Sequence, residues 1–468
     1  MRQHYNVTLV VLALACTAFA LMQTMVIPAL PVLQRELDTT TTWVTWVLTV
    51  FLLVAAVSTP ILGRLGDQYG KERLLAISLA LFLAGCIGCA AAWNIWSLIA
   101  FRALAGTGAG VFPLSFAIIR DEFPPDRVGV GIGLVSAVFG VGGGFGVVFA
   151  GLIVDNLSWR WLFVVGSLLV AFSLVLVRRF VPESPIKTPS RVDLPGATLL
   201  SLALISFLVA LSEGHSWGWA SSRILGLFAS AFFLAVLWGY VETRVSDPLV
   251  DMRMLAHRPV LFTNVTAVIA GFAMFGTFVL IPNFVEMPHG LPPASGRLVT
   301  YGFDANTTKA GLYLLPGTVM LLFAGPLAGR IGSRIGFKWP LAAGLALIGC
   351  AAALVAAFHA RPWQIWVSQG VLGIGVGFAF AAMATLIAEN VRPEETGVAT
   401  GVNTVMRSIG GVMGGQIGAA LLAAYTIRGT TLPAERGYVI SFAIAAGAAA
   451  VGAVLACLTP EPRRDVRL

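Results

Sequence analysis

The sequence predicts an all-α integral membrane protein of fourteen spanning helices, built as two six-helix bundles with two further helices between them. Three observations predict this class. Hydrophobic residues fill 57% of the 468 positions and charged residues only 11%, against about 25% charge in a soluble domain, so most of the surface must face lipid. Fourteen apolar runs are each near or above the roughly 20 residues that cross about 30 Å of hydrocarbon. A thirteen-residue, glycine-rich polar stretch occurs twice, 266 residues apart, which marks the chain as a duplicated bundle.

In order, the spans are 7–30, 42–62, 74–93, 95–119, 128–153, 159–178, 194–212, 223–241, 260–285, 310–331, 338–358, 363–388, 398–425 and 438–458. Helices are required because every backbone N–H and C=O in lipid must be satisfied within its own segment. The first run is too long for the apolar region of a secretory signal, and thirteen more follow it, so it is expected to stay as an anchor. With both termini cytoplasmic, 20 of the 30 Lys and Arg residues fall on the inner face and 8 on the outer, as the positive-inside rule requires. The net charge of +8 then meets anionic inner-leaflet headgroups, and no nucleic-acid partner is needed to explain it. The expected location is the cell (cytoplasmic) membrane. All five cysteines lie inside spans. The Cys86-x-x-Cys89 pair has no nearby histidine and reads as small packing residues, so no disulfide, metal or cofactor is expected.

The repeat sets the architecture. Its first copy is the polar loop Gly63-Arg64-Leu65-Gly66-Asp67-Gln68-Tyr69-Gly70-Lys71-Glu72-Arg73-Leu74-Leu75. Its second is Gly329-Arg330-Ile331-Gly332-Ser333-Arg334-Ile335-Gly336-Phe337-Lys338-Trp339-Pro340-Leu341, with five of thirteen positions identical and three of those glycine. Residues 1–186 are expected to form one bundle, 187–257 two inserted helices with cytoplasmic links, and 258–468 the second bundle. An even insertion keeps both halves in one orientation, so an axis along the membrane normal should relate them across a central cavity. Repeats of this kind mark secondary transporters.

These residues also carry a family resemblance. The stretch 63–73 resembles the signature between helices 2 and 3 of the major facilitator superfamily. The fourth span, Leu98-Ile99-Ala100-Phe101-Arg102-Ala103-Leu104-Ala105-Gly106-Thr107-Gly108-Ala109-Gly110, is similar to that family's buried-arginine motif. The element Leu157-Ser158-Trp159-Arg160-Trp161-Leu162-Phe163 resembles the fourteen-helix drug/proton antiporters. Two positions depart from those relatives. Met22 stands where they carry a carboxylate in helix 1, and Val147 stands where their helix 5 carries a proline. The resemblance implies a monomeric exporter working by alternating access.

Candidate residues follow. Gly63, Asp67, Gly70, Lys71, Arg73 and Asp121 are expected to form a latch at the inner face, with Asp67 pairing with basic residues or with a neighbouring helix N-terminus. Ser333 replaces the acid in the second copy, so the latch should be one-sided. Arg102 and Arg407 are the charged residues placed within the membrane and are expected to serve coupling or line the cavity. No acidic residue falls inside a span as drawn, so proton carriers are sought at the edges: Asp67 and Asp155 first, then Glu213 and Glu286. Cavity candidates are Gln23, Trp46, Phe112, Phe139, Asn264, Phe275, Gln369, Asn403 and Met406, with Phe116, Phe145, Phe272, Met274, Phe278, Met383 and Gln416 as further aromatic, thioether or amide side chains. Such a lining suits a small amphipathic ligand. The glycine-dense fifth and thirteenth spans are expected to form the sliding contact between halves.

The expected function is proton-coupled antiport of amphipathic drugs or metabolites out of the cell. An exporter of one endogenous metabolite, antibiotic or lipid is the alternative in the same class, and a non-transporting sensor or scaffold the alternative outside it. A membrane enzyme lacks its catalytic cluster, and an ATP-driven pump lacks its phosphate loop.

Overall fold

The computed structural model describes residues 5–184, 193–290, 299, 301–427, 430 and 432–460, without the side chains of 31, 41, 42, 126, 139–141, 143, 144, 155, 215, 279 and 307. Among these residues regular structure is helical, with one isolated bridge between Thr426 and Pro433. The long helices are α1 (Tyr5–Thr24), α2 (Thr41–Tyr69), α3 (Lys71–Ala90), α4 (Ile95–Glu122), α5 (Pro125–Asn156), α6 (Arg160–Phe180), α7 (Leu194–Trp217), α8 (Ser222–Glu242), α9 (Arg258–Glu286), α10 (Thr307–Ile335), α11 (Lys338–Ala357), α12 (Pro362–Asn390), α13 (Thr396–Ala424) and α14 (Glu435–Cys457). Among the described residues, 13 are long and apolar enough to cross a membrane. The remaining helix, α5, runs for 32 residues, with apolar pieces Arg127–Val138 and Phe145–Val154. The fourteen long helices fall on the fourteen apolar runs.

Helix ends differ from the apolar runs for local reasons. The first helix stops at Thr24 rather than continuing to 30. Pro28 and Pro31 interrupt it, and a short helix, Leu30–Glu36, restarts with proline in its first turn, where a missing N–H costs nothing. The second helix runs on to Tyr69, seven residues past its apolar run. The repeated polar stretch is therefore helical and not a loop. Its only break is Gly70 at φ 118°, matched by Gly336 at φ 94° in the second copy, a region open to glycine at little cost.

Helices α1–α6 share one core, built on Leu12, Phe19, Phe51, Phe82, Trp159 and Phe163. The second half has its own clusters, one around Leu345, Val376 and Met383 and one around Phe284, Tyr301 and Tyr438. The halves meet where α2 packs on α13 and α5 on α10 and α12. The glycines sort between these seams. Gly397 and Gly401 of α13 face α2, but Gly410 and Gly414 lie against the α9 backbone inside their own half. The expected sliding face of α13 is thus confined to its first turns. In α5, Gly133 meets Gly325 of α10 across the halves, while Gly142 packs on Ala20 of α1.

The Trp-Arg-Trp element ties three connections at one end. The Trp159 Nε1–H donates to Glu36 at 2.9 Å and Arg160 Nη2 donates to the Ala92 carbonyl at 3.0 Å. The Arg160 guanidinium also covers the Trp159 ring at 4.4 Å. Cys86 and Cys89 are buried and unbridged in α3, as are the other three cysteines unbridged elsewhere.

Candidate functional site

At the end where α1 begins and α14 finishes, here called the inner end, polar groups converge from both halves. Asp67 is 1% exposed. Its carboxylate accepts the Gly397 N–H at 3.3 Å and the Val398 N–H at 3.2 Å. These belong to the first turn of α13, where helix N–H groups lack internal partners, so Asp67 acts as an N-terminal cap supplied by another helix. Gly63, one turn earlier, lets α2 come this close: a β-carbon there would lie 2.4 Å from the Gly397 carbonyl. Lys71 is fully buried, 3.8 Å from Asp67, and its ammonium donates to Asp121, which also accepts from the Ser184 hydroxyl.

Four of the six expected latch residues therefore meet, Gly63, Asp67, Lys71 and Asp121, while Gly70 lies against the Glu183 carboxylate. Arg73 joins through its backbone, whose N–H donates to Glu183 at 3.4 Å beside the Glu72 N–H at 3.2 Å. Sequence reasoning missed Glu183, which reaches from the end of α6 to cap α3. It also missed Arg120. From the inner end of α4, Arg120 donates to the Val391 carbonyl at 2.8 Å, the Arg392 carbonyl at 3.2 Å and the Thr396 hydroxyl. A carboxylate on the N-terminus of α13 and a guanidinium on the carbonyls just past the C-terminus of α12 each carry the charge that complements the helix end they meet. Outside the spans, Arg392 pairs with Glu395 and lies 3.8 Å from Asp251, and these carboxylates hold its pKa above the ordinary value.

Toward the other end, the halves line a partly open cavity of about 70 Å³ between α1 on one side and α9, α10 and α12 on the other. Of the cavity candidates, Gln23, Phe275 and Gln369 line it, together with Met274, Phe278, Thr24, Thr318 and Leu321. The other described candidates lie elsewhere. Phe112 is 3% exposed and packs on Phe19 and Phe116 in the core of its own half. Asn403 donates to Asn264 at 2.9 Å, pairing α13 with α9 inside the second half. Met406 packs against that half's apolar clusters, and Trp46 is half-buried on α2 away from this lining. The side chains of Phe139 and Asp155 lie outside the described residues.

The two membrane arginines are also placed differently. Arg102 is fully buried among α2, α3 and α4, its Nε donating to the Val47 carbonyl at 3.1 Å and its guanidinium 4.1 Å above the Phe51 ring. It does not line the cavity, since the long side chain extends into the bundle. Arg407 is 8% exposed and covers the Phe380 ring at 4.1 Å. Met22, where the family resemblance led to the expectation of a carboxylate, is fully buried, and its sulfur occupies the space beside Gly166 of α6.

Polar groups that join the two halves at one end of a duplicated helical bundle, with a cavity between the halves, are an arrangement suited to a membrane transporter. The sequence assigns the lineage: the model of the Major Facilitator Superfamily matches residues 12–415 and, in an overlapping second match, 298–468. The chain belongs to the Major Facilitator Superfamily. It is 28% identical over 371 residues to multidrug resistance protein 3 of Bacillus subtilis, covering 78% of this chain and 69% of that one. It is 27% identical over 424 residues to the tetracenomycin C resistance and export protein of Streptomyces glaucescens, covering 89% and 76%. Multidrug resistance protein Stp of Mycobacterium tuberculosis matches at 28% over 400 residues, covering 85% and 72%. The crystal structure of the human organic anion transporter MFSD10 (TETRAN) superposes with a TM-score of 0.71 at 14% identity, covering 97% of this chain and 100% of that one, which is a likeness of fold.

Proposed function

We propose that this transporter exports amphipathic drugs or metabolites across the cytoplasmic membrane by proton-coupled antiport, with both termini cytoplasmic and the monomer as the working unit. The observation that carries the reading is the cross-half cap: Asp67 of α2 holds the N-terminus of α13 while the cavity lies beyond it. A cap of this kind is a two-position device. With Asp67 ionised, two charge-assisted hydrogen bonds, each worth about 1.5–3 kcal/mol, favour the inner end closed. A protonated carboxyl is a poorer acceptor, so proton uptake at Asp67 favours parting of α2 and α13 and inward access. Asp155, Arg102 and Arg407 remain coupling candidates in this scheme. The working division is 1–186, 187–257 and 258–468. The multidrug-resistance and antibiotic-export names of relatives that match most of the chain support the substrate class.

The test is fluorescent-dye accumulation in cells expressing the chain, compared with Asp67→Asn and with an uncoupler added. Low accumulation that both the substitution and the uncoupler abolish is the expected result. Accumulation equal to empty cells across a broad dye panel would instead favour export of one endogenous metabolite or antibiotic.

A further inference from the structure

We propose that the cavity between α1 and α9, α10 and α12 selects uncharged amphipathic molecules bearing a carbonyl or hydroxyl group, which the carboxamides of Gln369 and Gln23 recognise from opposite halves. The inference rests on the export reading and narrows its substrate class.

The walls set the first limit. Among the described residues, every side chain lining the cavity apart from Gln23, Thr24, Thr318 and Gln369 is apolar or glycine, and none is ionisable. An ion without a counter-charge in such surroundings costs many kcal/mol of lost hydration, and a cation over the Phe275 or Phe278 ring recovers only about 2 kcal/mol of that. A permanent cation is therefore rejected. An uncharged ring system gains by transfer of its apolar surface.

The polar groups set the second limit. The Thr24 hydroxyl is engaged with the Ala20 and Leu21 carbonyls at 3.2 Å and with the Gly142 carbonyl. The Thr318 hydroxyl is engaged with the Leu314 carbonyl at 3.3 Å. Gln369 differs: the residue is 1% exposed, and its buried Nε2 has no hydrogen-bond partner among the described residues. An amide kept in an apolar wall in this condition costs about 1–3 kcal/mol, and a ligand oxygen returns that cost on binding. Because a carboxamide both donates and accepts, either a carbonyl or a hydroxyl fits. Gln23, one residue before the end of α1, supplies a second carboxamide from the other half. A ligand spanning both touches the two bodies whose relative motion moves it.

Binding to the purified full-length chain tests this with three tricyclic probes of similar size: anthraquinone, anthracene and the permanent cation N-methylacridinium. Equilibrium dialysis is expected to rank anthraquinone first and N-methylacridinium last. Gln369→Leu should weaken anthraquinone by about 5–10-fold while anthracene stays within about twofold, which also shows that the cavity has folded. Gln369→Glu should raise the affinity for N-methylacridinium. Equal wild-type affinity for the cation and the quinone, equal losses for quinone and anthracene in Gln369→Leu, or no binding of any probe would each overturn the proposal. Anthraquinone bound in the expected order but not moved by the chain in vesicles would support the site and remove the export reading.

Discussion

At the scale of single residues, the contacts between the halves at the inner end place groups of opposite sign on opposite helix ends. Asp67 was legible in the sequence, because an acid framed by repeated glycines and basic residues has few other uses. Arg120 was not, since its acceptors at 391, 392 and 396 come from the other half and leave no local pattern. The cavity was legible only in part. Gln23, Phe275 and Gln369 fit an amphipathic lining, but residue type does not report which face of a helix points inward, and Phe112, Asn264 and Asn403 turned into their own bundles. Arg120→Gln removes a guanidinium from three acceptors at the closure, and charged hydrogen bonds of about 1.5–3 kcal/mol each make opening at least about tenfold more frequent. The measurement is modification of Thr400→Cys by a membrane-impermeant thiol reagent from the inner side. Lys at this position should not restore closure, because one ammonium cannot reproduce the planar fork. An unchanged labelling rate in Arg120→Gln would show that the contact does not hold the gate.

At the scale of elements, carboxylates fasten helix ends and links, some of them from far away in sequence. Glu183 caps α3 from the end of α6. At the inserted pair, Asp193 accepts the Gly196 N–H at 2.8 Å and the Leu249 N–H at 3.3 Å. Glu242 accepts from Trp238 Nε1 at 2.7 Å and from the Val250 N–H at 3.3 Å. Leu249 and Val250 pack in turn on Val398, Ala399 and Val402 of α13. The inserted helices thus fasten a link that braces the same helix Asp67 caps. Glu242→Ala leaves two donors without their acceptor, at about 1–3 kcal/mol. Trypsin cleavage at Arg244 and Arg253 in the native chain should accelerate by about tenfold. Trp159→Phe, at the opposite end, removes the hydrogen bond to Glu36 and should lower the melting temperature of the purified protein without changing trypsin cleavage in the link.

At the scale of the whole molecule, the composition and the repeat disclosed fourteen helices and two halves because lipid imposes length and apolarity on every span. How the halves lie against each other was not written in any one segment. The seam between α5 and α10 now makes a definite claim about motion. These helices touch from Gly129 and Gly329, through Gly133 and Gly325, to Gly151 and Thr308, so the inner end opens only if this seam parts. A β-carbon at Gly325 would lie 3.0 Å from that of Ala137, and disulfide geometry asks for about 3.5–4.5 Å, a gap that a small shift supplies. In a background without the native cysteines, Ala137→Cys with Gly325→Cys should cross-link under mild oxidant and stop transport, and a reductant should restore it. The uncross-linked pair is its own control for the volume added at Gly325. Transport that continues at the reduced rate after complete cross-linking would mean that the halves do not separate here, and that substrate reaches the inner face by a route that leaves the α5–α10 seam shut.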